Sequence, residues 1–243
     1  MIEIILLISA VLFIFALKLF GRPSTAHKAN SFAMLAMALA VFSAFNFDFS
    51  KYDSAFYITI VVSGLLGVLI SKRVQMTQMP ELVGLFNGFG GGASGAIAYV
   101  ELSNTSLPIS DVFVAIFSMV IGMFTFSGSL IAVMKLRGKL NNFSTKLGNI
   151  FSVFLPTNLI IPAVLEMDTF LYEFIILVAL IAGVIRGAVI GGADMPVVIA
   201  FLNSLSGIAA MSAGFIVNSI ILIVAGALAV SYTHLTLPTI LRV

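Results

Sequence analysis

Residues 111–134 read DVFVAIFSMVIGMFTFSGSLIAVM. One acid opens the run, and no further charge follows within it. A helix rises 1.5 Å per residue, so about 20 mostly apolar residues cross the hydrocarbon core of a bilayer. The run lacks the strict apolar–polar alternation of a barrel strand. In lipid only helices and closed barrels satisfy their own backbone groups. The stretch therefore predicts a membrane-crossing helix.

The rest of the chain repeats this pattern. Comparable segments lie near 2–20, 31–46, 54–70, 80–100, 147–165, 169–189, 195–213 and 215–230. Together they predict an all-α, polytopic transmembrane helix bundle of about nine helices. The sixth, near 147–165, is interrupted by Pro156, Asn158 and Pro162. Composition agrees, with 60% hydrophobic and 9% charged residues among 243 and a mean hydropathy of +1.18. Soluble domains carry about 25% charged residues, and so few charges could not cover a soluble surface of this size. The run from Ile2 to Phe20 lacks the basic start and small-residue cleavage site of a signal peptide, since Glu3 comes first.

The connecting charges give a sidedness. Lys18, Arg22 and Lys28 follow the first segment, and Lys72 and Arg73 follow the third. Lys135, Arg137, Lys139 and Lys146 follow the fifth, and Arg186 and Asp194 flank the seventh connection. Between them come more acidic connections: Asp48, Lys51 and Asp53; Glu101 and Asp111; and Glu166, Asp168 and Glu173. Basic loops face the cytoplasm, so the N-terminus is expected outside and the ninth helix is expected to end in the cytoplasm.

Several chemistries are excluded. The net charge of +2 is not gathered into a basic patch with interleaved aromatics, so nucleic acid is not an expected partner. Cysteine is absent and only two histidines exist, which removes disulfides and thiolate sites and leaves little for a metal. Gly90, Gly92 and Gly95 spell a literal G-x-G-x-x-G with Asp111 downstream. That fingerprint requires a βαβ unit, and a membrane helix does not provide one. No metal site, catalytic residue or cofactor site is expected in this chain.

Three polar or glycine clusters remain. Gly84, Gly88, Gly91 and Gly95 recur at helical spacing, which suits close helix packing or a bending segment. Gly191-Gly192-Ala193-Asp194-Met195-Pro196 places Asp194 where a helix N-cap would stand. A carboxylate at a membrane mouth is also a candidate for proton relay or for contact with a soluble domain. Asn203, Ser204 and Ser206 lie inside the eighth segment, where they either bond a neighbouring helix or line a polar path. The first and last clusters show an internal similarity. Met79-Pro80 leads to Asn87, and Met195-Pro196 leads to Asn203; Gly91 then aligns with Gly207 and Ala93 with Ala209. Matching segments of this kind mark binding sites in transporters. Both asparagines should lie at one depth and approach each other or face one shared polar path.

Three stretches resemble the beta subunit of proton-translocating NAD(P) transhydrogenase. They are Met76–Leu82 continuing through Phe86–Ser94, Thr125–Leu130 with Lys135-Leu136 and Gly138-Lys139, and Ile190–Val198 with Leu202-Asn203-Ser204 and Ser206-Gly207. The resemblance covers residues 1–230, and it implies the membrane part of an enzyme of the Si-specific type. That enzyme couples hydride transfer between NAD(H) and NADP(H) to proton translocation. The resemblance implies that both nucleotides bind outside this chain, and that the chain alone catalyses no hydride transfer. It also implies an alpha subunit as partner, a dimer of alpha–beta units, and a multi-pass place in the inner membrane of a bacterium. Asn87, Asp194, Asn203 and Ser204 become candidates for the proton path or its coupling. Gly88, Gly91, Gly95, Gly128, Gly191 and Gly192 become candidates for helix packing or hinge motion. Asn87 stands where some members carry histidine, so any titrating imidazole there must come from a partner; His27 is not placed to substitute. Residues 231–243, beginning Ser231-Tyr232-Thr233-His234, resemble translated read-through of a sequencing-library adapter and are expected to form an unstructured, artefactual end. Two further readings stand beside the resemblance: a stand-alone secondary transporter or channel with a midplane polar site, and a membrane scaffold whose glycines only pack helices.

Overall fold

A computed structural model describes residues 2–44, 52–104, 107–140 and 169–240. Every regular element among them is helical. The long helices are α1 (Ile2–Phe20), α2 (Ala26–Ala44), α3 (Ser54–Arg73), α4 (Met79–Asn104) and α5 (Ile109–Leu136). They continue with α6 (Thr169–Val189), α7 (Met195–Ile216) and α8 (Ile220–Ile240). Short 3₁₀ turns at Pro23–Thr25, Met76–Gln78 and Gly192–Asp194 lead into α2, α4 and α7.

The all-α expectation holds, and eight of the nine expected segments fall on these helices. The segment near 147–165 lies outside the described residues. Five described helical stretches are long and apolar enough to cross a membrane: Ile2–Phe20, Ser54–Arg73, Ile109–Leu136, Phe170–Val189 and Gly192–Ile216. The helix α2 opens on His27, Lys28 and Asn30, and α4 is dense in glycine, which dilutes the apolarity of both.

Two expectations shift. The backbone of α8 is helical to Ile240, past Val230, where the last expected segment ends. Ser231 to Leu237 contain neither Gly nor Pro, so the sequence places no helix breaker before Pro238. The break before α8 also falls later than expected, at Val217–Ser219. Asn218 takes a left-handed φ of 52°, and Ser219 N donates to Gly214 O at 2.9 Å. This is the usual way a non-glycine residue ends a helix.

The chain divides into two compact units, Met1–Gln75 and Met76–Val243. In the first, α1 and α2 form an antiparallel hairpin. Ala16, Ala29 and Ala36 are buried, Ser9 Oγ donates to Ala36 O at 2.7 Å, and the Phe15 and Phe32 rings meet edge to face at 5.9 Å. The helix α3 is capped by Asp53, whose side chain accepts from Phe56 N at 3.0 Å. None of its residues is buried. A helix apolar all round has lipid as its solvent.

In the second unit α5 is central. Antiparallel α4 packs on it through glycines: a Cβ on Gly122 would stand 2.5 Å from Gly91 O and 2.7 Å from Gly95 N. Antiparallel α7 lies on another side, where Ser118 Oγ donates to Ala209 O at 2.8 Å and Gly128 faces Leu202. The helix α6 runs parallel to α5. Phe124 and Ser127 oppose Gly183, Ile131 opposes Gly187, and Lys135 reaches Ala188 O. The chain therefore leaves α5 at one end of the unit and enters α6 at the other. The helix α8 folds back along α7, with Gly207 against Gly226 and Gly214 against Ile223.

The close approach of α4 and α5 generates a stability prediction. Gly122→Ala inserts a methyl against backbone on the facing helix, an overpacking that costs about 1–3 kcal/mol. Gly64, on exposed α3, has open space around it. Gly64→Ala should leave stability unchanged or raise it by about 0.4–1 kcal/mol. Unfolding midpoints of the two variants in detergent should move in these directions.

Candidate functional site: a polar junction among α4, α5 and α7

Asn87 sits on α4 where its glycines let α5 and α7 close in, and it is only 8% exposed. Its Nδ2 donates to Ser129 Oγ on α5 at 2.9 Å. Its backbone carbonyl accepts from Ser206 Oγ on α7 at 3.1 Å. Thr125, one turn before Ser129, is fully buried and returns its hydroxyl to Ile121 O at 2.7 Å. Gly91 is the floor of the junction, because a Cβ there would meet Gly122 O, Thr125 Cβ and Ser206 Oγ at 3.0–3.2 Å. Asn87 Oδ1 is buried and accepts from none of the described residues. An unpaired buried acceptor costs about 1–3 kcal/mol, so such an atom marks a place for a donor.

Apolar layers bound the junction along the helices. Toward the start of α4 and α7 lie Val133 and Ile199, both against Gly84, with Ala132 and Met195 fully buried beside them. Toward the opposite end lie Met119, Ile116, Val120, Ala115 and Ala98, with Tyr172, Ile175 and Ala179 from α6. The polar groups are thus occluded from both ends of the unit.

Beyond the first layer is a charged mouth. Lys135, in the last turn of α5, is 6% exposed. Its ammonium donates to Ala188 O at 2.5 Å and to Ile190 O. A cation there satisfies carbonyls that the end of α6 leaves unpaired and complements its dipole. It also ties down the residue immediately before Gly191. Arg137 Nε donates to Glu81 Oε2 at 2.6 Å, joining the end of α5 to the first turn of α4. This pair is half open to the surroundings and contributes at most about 1 kcal/mol.

The expected residues separate accordingly. Asn87, Gly88, Gly91 and Gly95 all face α5 in tight contact. Gly128 makes ordinary contact with Leu202. Gly191 and Gly192 do not pack: nothing stands within 4 Å of a Cβ at Gly192, and Gly191 would meet only Asp194 Oδ2 at 3.7 Å. The tightest approaches fall instead on Gly122, Gly183, Gly207 and Gly226. Asp194 is exposed and stands at the N-cap position of α7, but its side chain makes no capping bond. Its φ of −88° and ψ of 0° do not aim the carboxylate at the helix N–H groups as a cap requires.

Asn203 is half-buried, one turn before Ser206 and on the same side of α7. The Asn87 side chain bonds Ser129 rather than Asn203. Ser204 is buried, but two residues of helix turn it about 200° from Ser206. It therefore lies on the side of Gly207, toward α8, and does not join the junction. Ser129 and Lys135 are the residues that sequence reasoning left out of the site; Ser206 was grouped there with Asn203 and Ser204. The spacing of Thr125 and Ser129, four apart, was the signal for one polar face on α5.

The fold and this site define a polytopic helical membrane protein with an occluded polar junction between three packed helices. Residues 2–238 match the NAD(P) transhydrogenase beta subunit family, and the chain belongs to that family. It is 32% identical over 237 residues to NAD(P) transhydrogenase subunit beta of Rhodospirillum rubrum, an alignment covering 91% of this chain and 51% of that protein. The same values hold for the subunit beta of R. rubrum strain ATCC 11170. The chain thus spans about half the length of the curated relatives it matches. The matched range continues past Val230, where the resemblance was expected to end.

Lys135 yields the prediction here. Lys135→Met removes a charged donor from two carbonyls, and hydrogen bonds of that kind are worth about 1.5–3 kcal/mol. The variant should unfold earlier by that order. Amide exchange should rise at Ile190–Asp194 more than in the centres of α5 and α7.

Proposed function

We propose that this chain is the proton-conducting membrane part of a NAD(P) transhydrogenase, in which hydride transfer between NAD(H) and NADP(H) drives or is driven by proton passage. The observation that carries the reading is the occluded Asn87–Ser129–Ser206 junction with an acceptor, Asn87 Oδ1, still to be matched. None of these three side chains titrates near neutrality. Their part is to orient a water or a titrating donor, and an imidazole from a partner subunit has the right chemistry. Asn203, one turn nearer the charged mouth, extends the polar side of α7. The apolar layer at Val133 and Ile199 must part before a proton moves between junction and mouth.

Asp194 is the coupling residue in this proposal. It is exposed, follows two unpacked glycines, and begins the helix that carries Asn203 and Ser206. A nucleotide-bearing domain that grips or releases this carboxylate would shift α7. Gly191 and Gly192 serve as the hinge. Both nucleotides bind outside this chain, in an enzyme of the Si-specific type. Its partner is the alpha subunit, the assembly is a dimer of alpha–beta units, and the location is the inner membrane of a bacterium. A stand-alone transporter is the weaker reading, since family membership favours a subunit of a redox enzyme.

The test uses the assembled enzyme in vesicles. Asn203→Leu should reduce proton pumping at least tenfold while helix content and thermal midpoint stay within error. Asp194→Ala should keep hydride transfer but separate it from pumping. Full pumping by the Asn203→Leu enzyme would overturn the proposal.

Sidedness is part of the proposal, with the N-terminus outside and the basic connections in the cytoplasm. Single cysteines placed at Lys72 and at Glu101 should label from opposite faces of sealed vesicles. Labelling of both from one face would reject this topology.

A further inference from the structure

A cleft of about 360 Å³ opens between α5, α6 and α7, on a different side of α5 from the polar junction. Its wall is Phe124 and Gly128 of α5, Gly183 and Gly187 of α6, and Val198 and Leu202 of α7. Among the lining residues only Arg186 is charged, and no acid lines the cleft. Arg186 lies in the last turn of α6, is exposed, and makes no ion pair or hydrogen bond with the described residues. Lys135, the other cation at this end, is already engaged by Ala188 O and Ile190 O and does not line the cleft. The volume lies within the range of about 300–1,000 Å³ found for small-molecule sites.

We propose that this cleft is a binding site for one anionic glycerophospholipid, with its phosphate on Arg186 and an acyl chain laid along Gly183, Val198 and Leu202. Three observations select that occupant. The cleft opens beside Phe201, which is 54% exposed, between helices that are long and apolar enough to cross a membrane. A ligand arriving there comes from the bilayer and must be largely apolar. Its one polar partner is a guanidinium at a helix end, which matches a phosphate in two-pronged geometry. Lys135, Arg137, Lys139 and Arg186 gather at this same end of the unit, the pattern of the cytoplasmic leaflet. Basic pockets between membrane helices on that side are the type that holds anionic headgroups. The net positive field at this end favours an anionic over a zwitterionic lipid.

Native mass spectrometry of the purified full chain in detergent tests this. Phosphatidylglycerol and phosphatidylcholine of equal chain length are titrated separately. One phosphatidylglycerol should be retained at least tenfold more tightly than phosphatidylcholine. Arg186→Gln should abolish that preference, and Arg186→Lys should keep part of it. Val198→Phe, which fills the cleft, should lower retention of both lipids. Should that variant misfold, as read by its thermal midpoint, the Arg186 pair carries the test alone. Equal retention of the two lipids, or unchanged retention in Arg186→Gln, overturns the proposal. So does a disulfide formed between Val197→Cys and a cysteine placed within residues 147–165, which would show the cleft filled by the chain itself.

Discussion

The approach of α4 to α5 at Gly91 and Gly122 is the contact on which the rest of the second unit depends. Backbone meets backbone there, and a single methyl on Gly122 has no room. In a bilayer no hydrophobic force drives helix to helix, because lipid tails are as apolar as side chains. Packing and a few hydrogen bonds must do it. The glycine contact supplies the packing, and it brings the backbone of α4 within reach of hydroxyls on both neighbours. Ser206 reaches Asn87 O only because α7 lies that near. With α4 further out, Asn87, Ser129 and Ser206 would be separate polar groups in hydrocarbon, each at a cost.

The same contact explains why a polar site exists in a place sealed at both ends. Small residues leave no side-chain bulk between the helices, so the space at Asn87 is set by polar groups rather than by packing hydrophobes. Above and below, Met119 and the Val133–Ile199 pair restore ordinary apolar packing. The site is therefore an occluded compartment rather than an open channel. In the proposed function, passage through it requires helices to move rather than a pore to widen.

Sequence patterns made some of this legible and hid the rest for identifiable reasons. Helix positions were readable because lipid demands long apolar runs, and α1 and α6 fall on their expected limits. Asn87 stood out as an amide in a glycine-dense run. Ser129 did not, because a mid-helix serine commonly bonds its own preceding turn. Ser94 and Ser127 do that here, and only the approach of α4 distinguishes Ser129 from them. Lys135 read as a loop charge because sequence reveals the charge but not where the neighbouring helix ends. Gly191 and Gly192 read as packing or hinge residues beside Gly88 and Gly91; Gly192 faces open space and Gly191 meets only Asp194, while Gly183 and Gly207 take the tight contacts. Composition identifies a glycine; which face it presents is decided by the fold.

The internal similarity between α4 and α7 gains a physical meaning from their direction. The two helices run parallel, since Gly84 meets Ile199 at one end and Gly91 meets Ser206 further on. That pairing is offset by one residue from the alignment of Gly91 with Gly207. Both Met-Pro starts therefore lie at one level, and both asparagines lie at one depth. Parallel neighbours that start level are sensitive to sliding. A shift of α7 by one residue rise, about 1.5 Å, across the 3.1 Å bond from Ser206 Oγ to Asn87 O stretches it to about 3.4 Å and weakens it. The tight contact of Gly207 with Gly226 means that α8 must travel with α7 or lose its packing. Resistance to the slide comes from α8 and from the Ala209–Ser118 bond, not from the unpacked Gly191-Gly192 connection. A device in which an event at Asp194 reaches Asn87 needs that division: a compliant start and a stiff remainder, so that a small displacement at the mouth arrives undiminished at the junction.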